Sequence, residues 1–150
     1  MTTSILNRIL LSKAGAAALI LRVPVGLILA AHGAQKLFGW FGGNGLEGTA
    51  QWLSSIGIEP GFLMAILAGS AEFFGGLALI LGLLTRPAAL VAAFTMLVAI
   101  FSVHISNGLF VADGGYEYAL VLMVALIALV IQGGGYLSMD KALSKKLDNI

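Results

Sequence analysis

One glutamate, Glu72, stands deep inside an apolar stretch, ten residues from Phe62 and twelve from Leu84. An ionised side chain at the centre of a membrane helix costs about 2.5–3.5 kcal/mol on insertion scales. From that depth Glu72 cannot reach either membrane surface, so it must face other helices. Ala68, Gly69, Gly75 and Gly76 lie three and four positions away, on the same helical face, and such small residues let a second helix approach closely. Two roles stay open for the carboxylate. It is a structural lock, paired with Arg22 or accepting hydrogen bonds across the bundle, or it is a proton or ligand site. Arg22 enters an apolar stretch six residues from its start, at a level roughly 7–9 Å from that of Glu72 at a rise of about 1.5 Å per residue. A long side chain closes much of that gap, or it snorkels to the near surface.

A second polar group gathers at the far ends of the apolar stretches. His32 and Lys36 are one helical turn apart, His104 closes a later stretch, and Tyr116, Glu117 and Tyr118 open the last. If the stretches cross a membrane in alternation, three of them deliver these residues to one level. Polar groups between aromatic walls (Phe38, Trp40, Phe101, Tyr116, Tyr118) have the form of a small-molecule site, although the aromatics alone also form an ordinary interfacial belt. A quinone head group suits it, being planar, apolar on its faces and carrying two carbonyl acceptors. His32, His104 and Lys36 are the candidate hydrogen-bonding groups, and Glu117 and Glu72 the candidate proton exchangers. Assigned by role, Glu72, His32 and Glu117 are the candidate catalytic residues. His32, Lys36, His104, Trp40 and Tyr116 are the candidate cofactor-binding residues. Haem between the two histidines and a His/His/Glu metal site are weaker alternatives, and no metal site is assigned.

These residues need apolar helices to hold them. The chain is 59% hydrophobic and 10% charged, with a mean hydropathy of +1.02, whereas a soluble domain is about 45–50% apolar and about 25% charged. Lipid is therefore the expected solvent. The pattern predicts one all-α domain over residues 1–150, an integral membrane four-helix bundle. Its spans lie roughly at 16–37, 62–84, 87–105 and 116–132, the last shorter than ideal. Arg8 and Lys13 accompany an amphipathic start containing Ile5, Ile9 and Leu10, and Arg22 together with the length of the run argues against a cleaved signal peptide. Between the first two spans, Leu46, Ala50, Leu53 and Ile56 recur at helical spacing beside Trp40 and Trp52, which predicts a short interfacial helix in the outer loop. Thr85-Arg86-Pro87 reads as a tight turn with proline opening the next helix. Ser138 or Asp140 is the expected cap of a basic tail carrying Lys141, Lys145 and Lys146.

Arg8, Lys13, Arg86, Lys141, Lys145 and Lys146 fall on one side of this topology and only Lys36 on the other. The asymmetry places both termini in the cytoplasm. A net charge of +1 argues against a nucleic-acid partner, and the absence of cysteine excludes thiolate zinc, iron–sulfur clusters and covalent haem on this chain. The glycines at Gly42–Gly45 precede no strand-to-helix unit, so there is no dinucleotide fingerprint.

The stretch LRVPVGLILAAHGAQKLFGWFGG resembles the first helix of DoxX-type membrane proteins, with its arginine and its H-G-x-x-K-L-F-G ending. SAEFFGGLALILGLLTRPAAL resembles their second helix and turn, and GGYEYALVLM and GGGYLSMD resemble the fourth helix and its end. The resemblance covers about Leu21–Asp140. It implies a four-helix inner-membrane protein with a quinone-linked or redox-stress role, in the group that includes the small subunit of thiosulfate:quinone oxidoreductase. By the family pattern Arg22, His32, Lys36, Glu72, Arg86 and Glu117 are carried over, while His104 rests on topology. The expected function is a quinone-binding oxidoreductase subunit with a redox protein partner, a homo-oligomer being left open. A small proton-coupled transporter using Glu72 and a non-catalytic scaffold or assembly factor are the alternatives.

Overall fold

The computed structural model describes residues 5–12 and 14–147, the side chains of residues 6–8 excepted. The Arg8 side chain and Lys13, two of the cations in the topology argument, lie outside the described residues. Among the described residues there is no strand. The helices are α1 (Ile5–Leu10), α2 (Ala16–Phe38), α3 (Gly45–Ser55), α4 (Gly61–Leu81), α5 (Thr85–Ala99), α6 (Glu117–Gln132) and α7 (Met139–Leu147). A π-helical turn, Ile100–His104, and a 3₁₀ turn, Ile105–Asn107, prolong α5. Among the described residues, three helical segments are long and apolar enough to cross a membrane: Ala16–Phe38, Gly61–Leu81 and Thr85–Asn107. With 16 residues, α6 is only about 24 Å long at 1.5 Å per residue, against about 30 Å of hydrocarbon.

The outer faces are as apolar as the interior. Ile20, Phe74, Phe94, Val121 and Ile131 are all at least 60% exposed, which suits lipid and not water. Small residues and leucines fill the core: Ala18, Val25 and Leu29 of α2 meet Leu79 of α4, Ala92 and Met96 of α5, and Leu122, Leu126 and Leu129 of α6. A satellite cluster of Ala50, Leu53 and Ala65 fastens α3 onto α4, using three of the four periodic positions of α3 in or against it. The fourth, Ile56, falls just past the helix and is exposed.

The most extensive contact is between α2 and α4, and glycine makes it. Gly26 faces Gly76 and Ile80, Gly33 faces Phe73, and Lys36 and Leu37 face Gly69, so the two helices run antiparallel. A Cβ on Gly33 would sit 2.3 Å from the Phe73 backbone nitrogen. Gly33→Ala is therefore expected to force the helices apart at a loss of about 1–3 kcal/mol, the usual range for overpacking. Gly75→Ala is the control, since its Cβ would meet nothing nearer than 3.8 Å and alanine favours a helix interior by about 0.5–1 kcal/mol. Unfolding midpoints in detergent check the pair, and equal midpoints would refute the close-approach argument.

The α4–α5 turn differs from the sequence expectation. Helix α4 ends at Leu81, Gly82 takes the left-handed conformation with φ 65°, and α5 already begins at Thr85, so Pro87 lies within its first turn and not at its opening. The cause is tertiary: the Asp140 carboxylate accepts the backbone N–H groups of Leu84 (2.7 Å) and Thr85 (2.9 Å), satisfying the start of α5 from outside. Of the two proposed caps of the tail helix, Ser138 is the one used, its hydroxyl accepting the Lys141 N–H.

Candidate functional site

Two polar centres lie at opposite ends of α2. At the first, Arg22 is 1% exposed, which rules out snorkelling. It does not pair with Glu72. Its Nε donates to the Gly134 carbonyl at 3.0 Å, Nη1 to Leu79 at 2.9 Å and to Ile80, and Nη2 to Tyr136 at 3.3 Å and Leu137 at 2.8 Å. A guanidinium has five N–H donors in a rigid fork, and here each has a carbonyl. Two lie at the C-terminal end of α4, where Leu79 also accepts the Gly82 N–H, and three belong to the segment joining α6 to α7. Arg86 acts in the same way, donating to Val130 of α6 and to Leu11. Arg22, Arg86 and Asp140 thus close helix ends.

At the other end is a cavity of about 120 Å³ to which α2, α4, α5 with its π turn, and α6 all contribute. Its polar lining is His32, Lys36, Glu72, His104 and Tyr118, and its apolar lining is Leu29, Met96, Ala99, Ala119 and Leu122. Glu72 is 3% exposed, and its Oε2 accepts a hydrogen bond from Lys36 Nζ in an ion pair. A buried carboxylate is tolerable only with such a partner. The α2–α4 register supplies it: with Gly33 on Phe73, the next turn of α2 carries Lys36 to Glu72. On the π turn after α5, His104 Nδ1 lies 2.7 Å from the Gly114 carbonyl. A carbonyl only accepts, so Nδ1 carries the proton, and in the neutral ring Nε2 is the free acceptor. The π turn that bears His104 is a device often found at functional sites. His32 and Tyr118, whose rings are 6.2 Å apart, are the exposed members of the lining, so the cavity meets the surface between α2 and α6.

Four of the seven residues singled out from sequence, His32, Lys36, Glu72 and His104, line this cavity. Trp40, Tyr116 and Glu117 are not among the lining residues. Trp40 lies in an exposed 3₁₀ turn with its ring 5.1 Å from that of Phe38. Tyr116 precedes α6 and packs against the main core. The Glu117 carboxylate accepts the Val111 N–H at 2.6 Å, bracing the loop before α6. Tyr118, named from the sequence only among the aromatic walls, lines the cavity together with Ala119. The signal was present in the spacing, because Tyr118 stands four residues before Leu122 on the face that continues through Leu126 and Leu129. Nothing in spacing marked Asp140, whose partners are 55 and 56 residues away. Among the described residues no three His, Cys, Asp or Glu side chains are grouped to hold a metal ion.

Apolar helices with lipid-suited faces, and a polar cavity among four of them, define an all-helical membrane protein with a buried polar interior. The chain belongs to the DoxX family, whose model matches residues 17–105. That match spans α2 to α5 and contains Arg22, His32, Lys36, Glu72, Arg86 and His104. CatD of Bacillus subtilis (strain 168), named as a candidate oxidoreductase, is 32% identical over 131 residues, covering 87% of this chain and 90% of CatD. The inner membrane protein YqjF of Escherichia coli (strain K12) is 36% identical over 110 residues, covering 72% of this chain and 82% of YqjF. YphA, also named an inner membrane protein of Escherichia coli (strain K12), is 30% identical over 128 residues, covering 82% and 87%. No solved structure matches the chain.

Proposed function

We propose that this chain is the quinone-binding membrane subunit of an oxidoreductase and works with a redox protein partner. The observation that carries the reading is the cavity itself, ring-sized, apolar on its walls and lined by five polar side chains. An apolar cavity of about 150 Å³ holds a benzene ring in another protein, so about 120 Å³ with an opening suits a planar head group. Between α2 and α6 that opening faces the side that apolar helices present to lipid, the phase in which a long-tailed quinone is dissolved. His104 Nε2 accepts a hydrogen bond from a hydroxyl. Lys36 would donate to a carbonyl oxygen, and His32 and Tyr118 would border the ring at the entrance. A bound quinone supplies two-electron chemistry coupled to proton uptake, and the partner supplies the electrons. The oxidoreductase name of CatD is in keeping with this.

The same reading makes the chain one domain, a four-helix bundle in the inner membrane. Helices α2, α4, α5 and α6 are its spans, α3 lies at the outer interface, and both termini are cytoplasmic. Exposed Trp40 and Trp52 support the interfacial placement of the α3 region, and the bias of lysine and arginine toward the other end supports the orientation.

The test is occupancy. Protein purified with its lipids is expected to release a quinone into organic solvent, and His32→Ala and Tyr118→Ala are each expected to weaken titrated binding of a short-tailed quinone about tenfold, or about 1.4 kcal/mol. Circular dichroism should stay unchanged. No co-purifying quinone together with no saturable binding would refute the reading. If both variants bind normally, the ligand lies elsewhere.

A further inference from the structure

Lys36 belongs to two hollows. Its ammonium closes one side of the cavity, and the same residue helps to line a second hollow of about 340 Å³ on the α3 side. The second hollow is built differently. Gln35, Lys36, Asn44 and Thr49 give it polar walls, with Gly43 and Trp52 completing them. By contrast, the groove between α4 and α5 is lined by Leu53, Met64, Leu67, Phe94 and other apolar residues, with Thr95 as its one hydroxyl. Polar walls suit water and apolar walls suit lipid chains. The α3-side hollow is firmly seated. A Cβ on Gly43 would lie 2.4 Å from the Gln35 carbonyl, Gln35 Nε2 donates to the Phe41 carbonyl at 3.2 Å, and the Thr49 hydroxyl donates to the Lys36 carbonyl at 3.3 Å. Lys36 is the residue common to the two linings; its side chain is 28% exposed and is paired with the Glu72 carboxylate, 4% exposed, which lines the cavity.

We propose that the Lys36–Glu72 pair is a gate between these hollows, through which water and protons from the α3 side reach a molecule held in the cavity. This rests on reading the cavity as a ligand site. With the pair closed, the ammonium plugs the passage and neutralises the carboxylate. A proton crosses by transfer from Lys36 Nζ to Glu72, leaving a neutral amine and a carboxylic acid. The Glu72 O–H then gives that proton to an acceptor oxygen in the cavity and returns to carboxylate. A solvent proton relayed through water in the α3-side hollow reprotonates the amine, so one proton has moved and both side chains are restored. The other titratable groups that line the cavity with the pair are His32 on α2, His104 on the π turn and Tyr118 on α6, the groups that surround the same ligand. Proton supply and ligand binding thus meet at one carboxylate.

The chain has no cysteine, so Ala99→Cys puts a single thiol in the cavity wall. The test uses that variant in lipid nanodiscs with a small cationic methanethiosulfonate, which is soluble in water and not in lipid, and follows labelling by mass spectrometry. Removing the gate with Lys36→Met or Glu72→Gln is expected to speed labelling at least tenfold, while uncharged N-ethylmaleimide labels all forms alike. Glu72→Gln keeps the shape of the site and serves if Lys36 exchange prevents folding. Equal methanethiosulfonate rates with the pair intact and removed overturn the proposal. So does acceleration in Lys36→Ala with none in Lys36→Met or Glu72→Gln, since bulk and not charge then closes the passage. Labelling needs no quinone, and quinone titration of the unsubstituted chain needs no label, so failure of the gate and failure of the ligand reading are seen separately.

Discussion

Arg22→Leu is expected to lose at least about 3 kcal/mol of stability, the worth of one or two hydrogen bonds from a charged donor. Leucine leaves the carbonyls of Leu79, Ile80, Gly134, Tyr136 and Leu137 without the donors they now share. A hydrogen bond to a charged donor contributes about 1.5–3 kcal/mol, and a buried acceptor left bare costs a comparable amount. Local relaxation and water reaching the helix end will keep the sum well below five such bonds. Arg22→Lys should recover less than half of the loss. An ammonium is a point with three donors and cannot fork between α4 and the segment after α6. The unfolding midpoint in mild detergent checks the magnitude, and limited proteolysis checks the place, since the Gly133–Leu137 segment should be cut first in the variant. A midpoint for Arg22→Leu within about 1 kcal/mol of the parent, the worth of one ordinary hydrogen bond, would refute a locking role.

The second large effect concerns Lys36 and Glu72, and it is expected to be asymmetric. Lys36→Met leaves a carboxylate that is 3% exposed with no cation, and such a charge costs about 3–5 kcal/mol unless it takes up a proton. Glu72→Gln leaves an ammonium that is 28% exposed and can swing toward the α3-side hollow, so its loss should be nearer 1 kcal/mol, as for a pair near solvent. The double variant should be more stable than Lys36→Met alone, because a buried pair replaced on both sides loses its desolvation cost as well as its attraction. A double-mutant cycle on unfolding midpoints measures the coupling. If Glu72→Gln proves the more damaging single change, the burial assignment of the pair is wrong.

Much of this architecture was legible in the residues. The apolar runs gave the helices to within a few positions, because a backbone in lipid must satisfy its own hydrogen bonds. Gly69 and Gly76, four positions from Glu72 or three, marked a close-packed face, and the structure uses both against α2. His32, Lys36 and His104 were gathered by topology alone, and they line one cavity with Glu72. The start of α5 was misread because its donors are satisfied by Asp140, from a segment that local sequence does not connect to it. The π turn at Ile100–His104 was equally hidden, since a single wide turn leaves the hydrophobic pattern almost unchanged.

The partner of Glu72 shows where one kind of information stops. Sequence by itself determined that this chain is built for lipid and that Glu72 must face inward, and it left the carboxylate either locked, by Arg22 or by hydrogen bonds across the bundle, or free to be a proton or ligand site. Lys36, on the same helix as Arg22, was grouped with His32 at the outer end and not offered as the partner of Glu72. The choice was made by the register of α2 on α4. Gly33 lying against the Phe73 backbone and Gly26 against Gly76 and Ile80 bring Lys36 to the carboxylate and Arg22 to the last carbonyls of α4. That register is a property of two glycine-lined surfaces fitted together, and only the packed tertiary structure contains it.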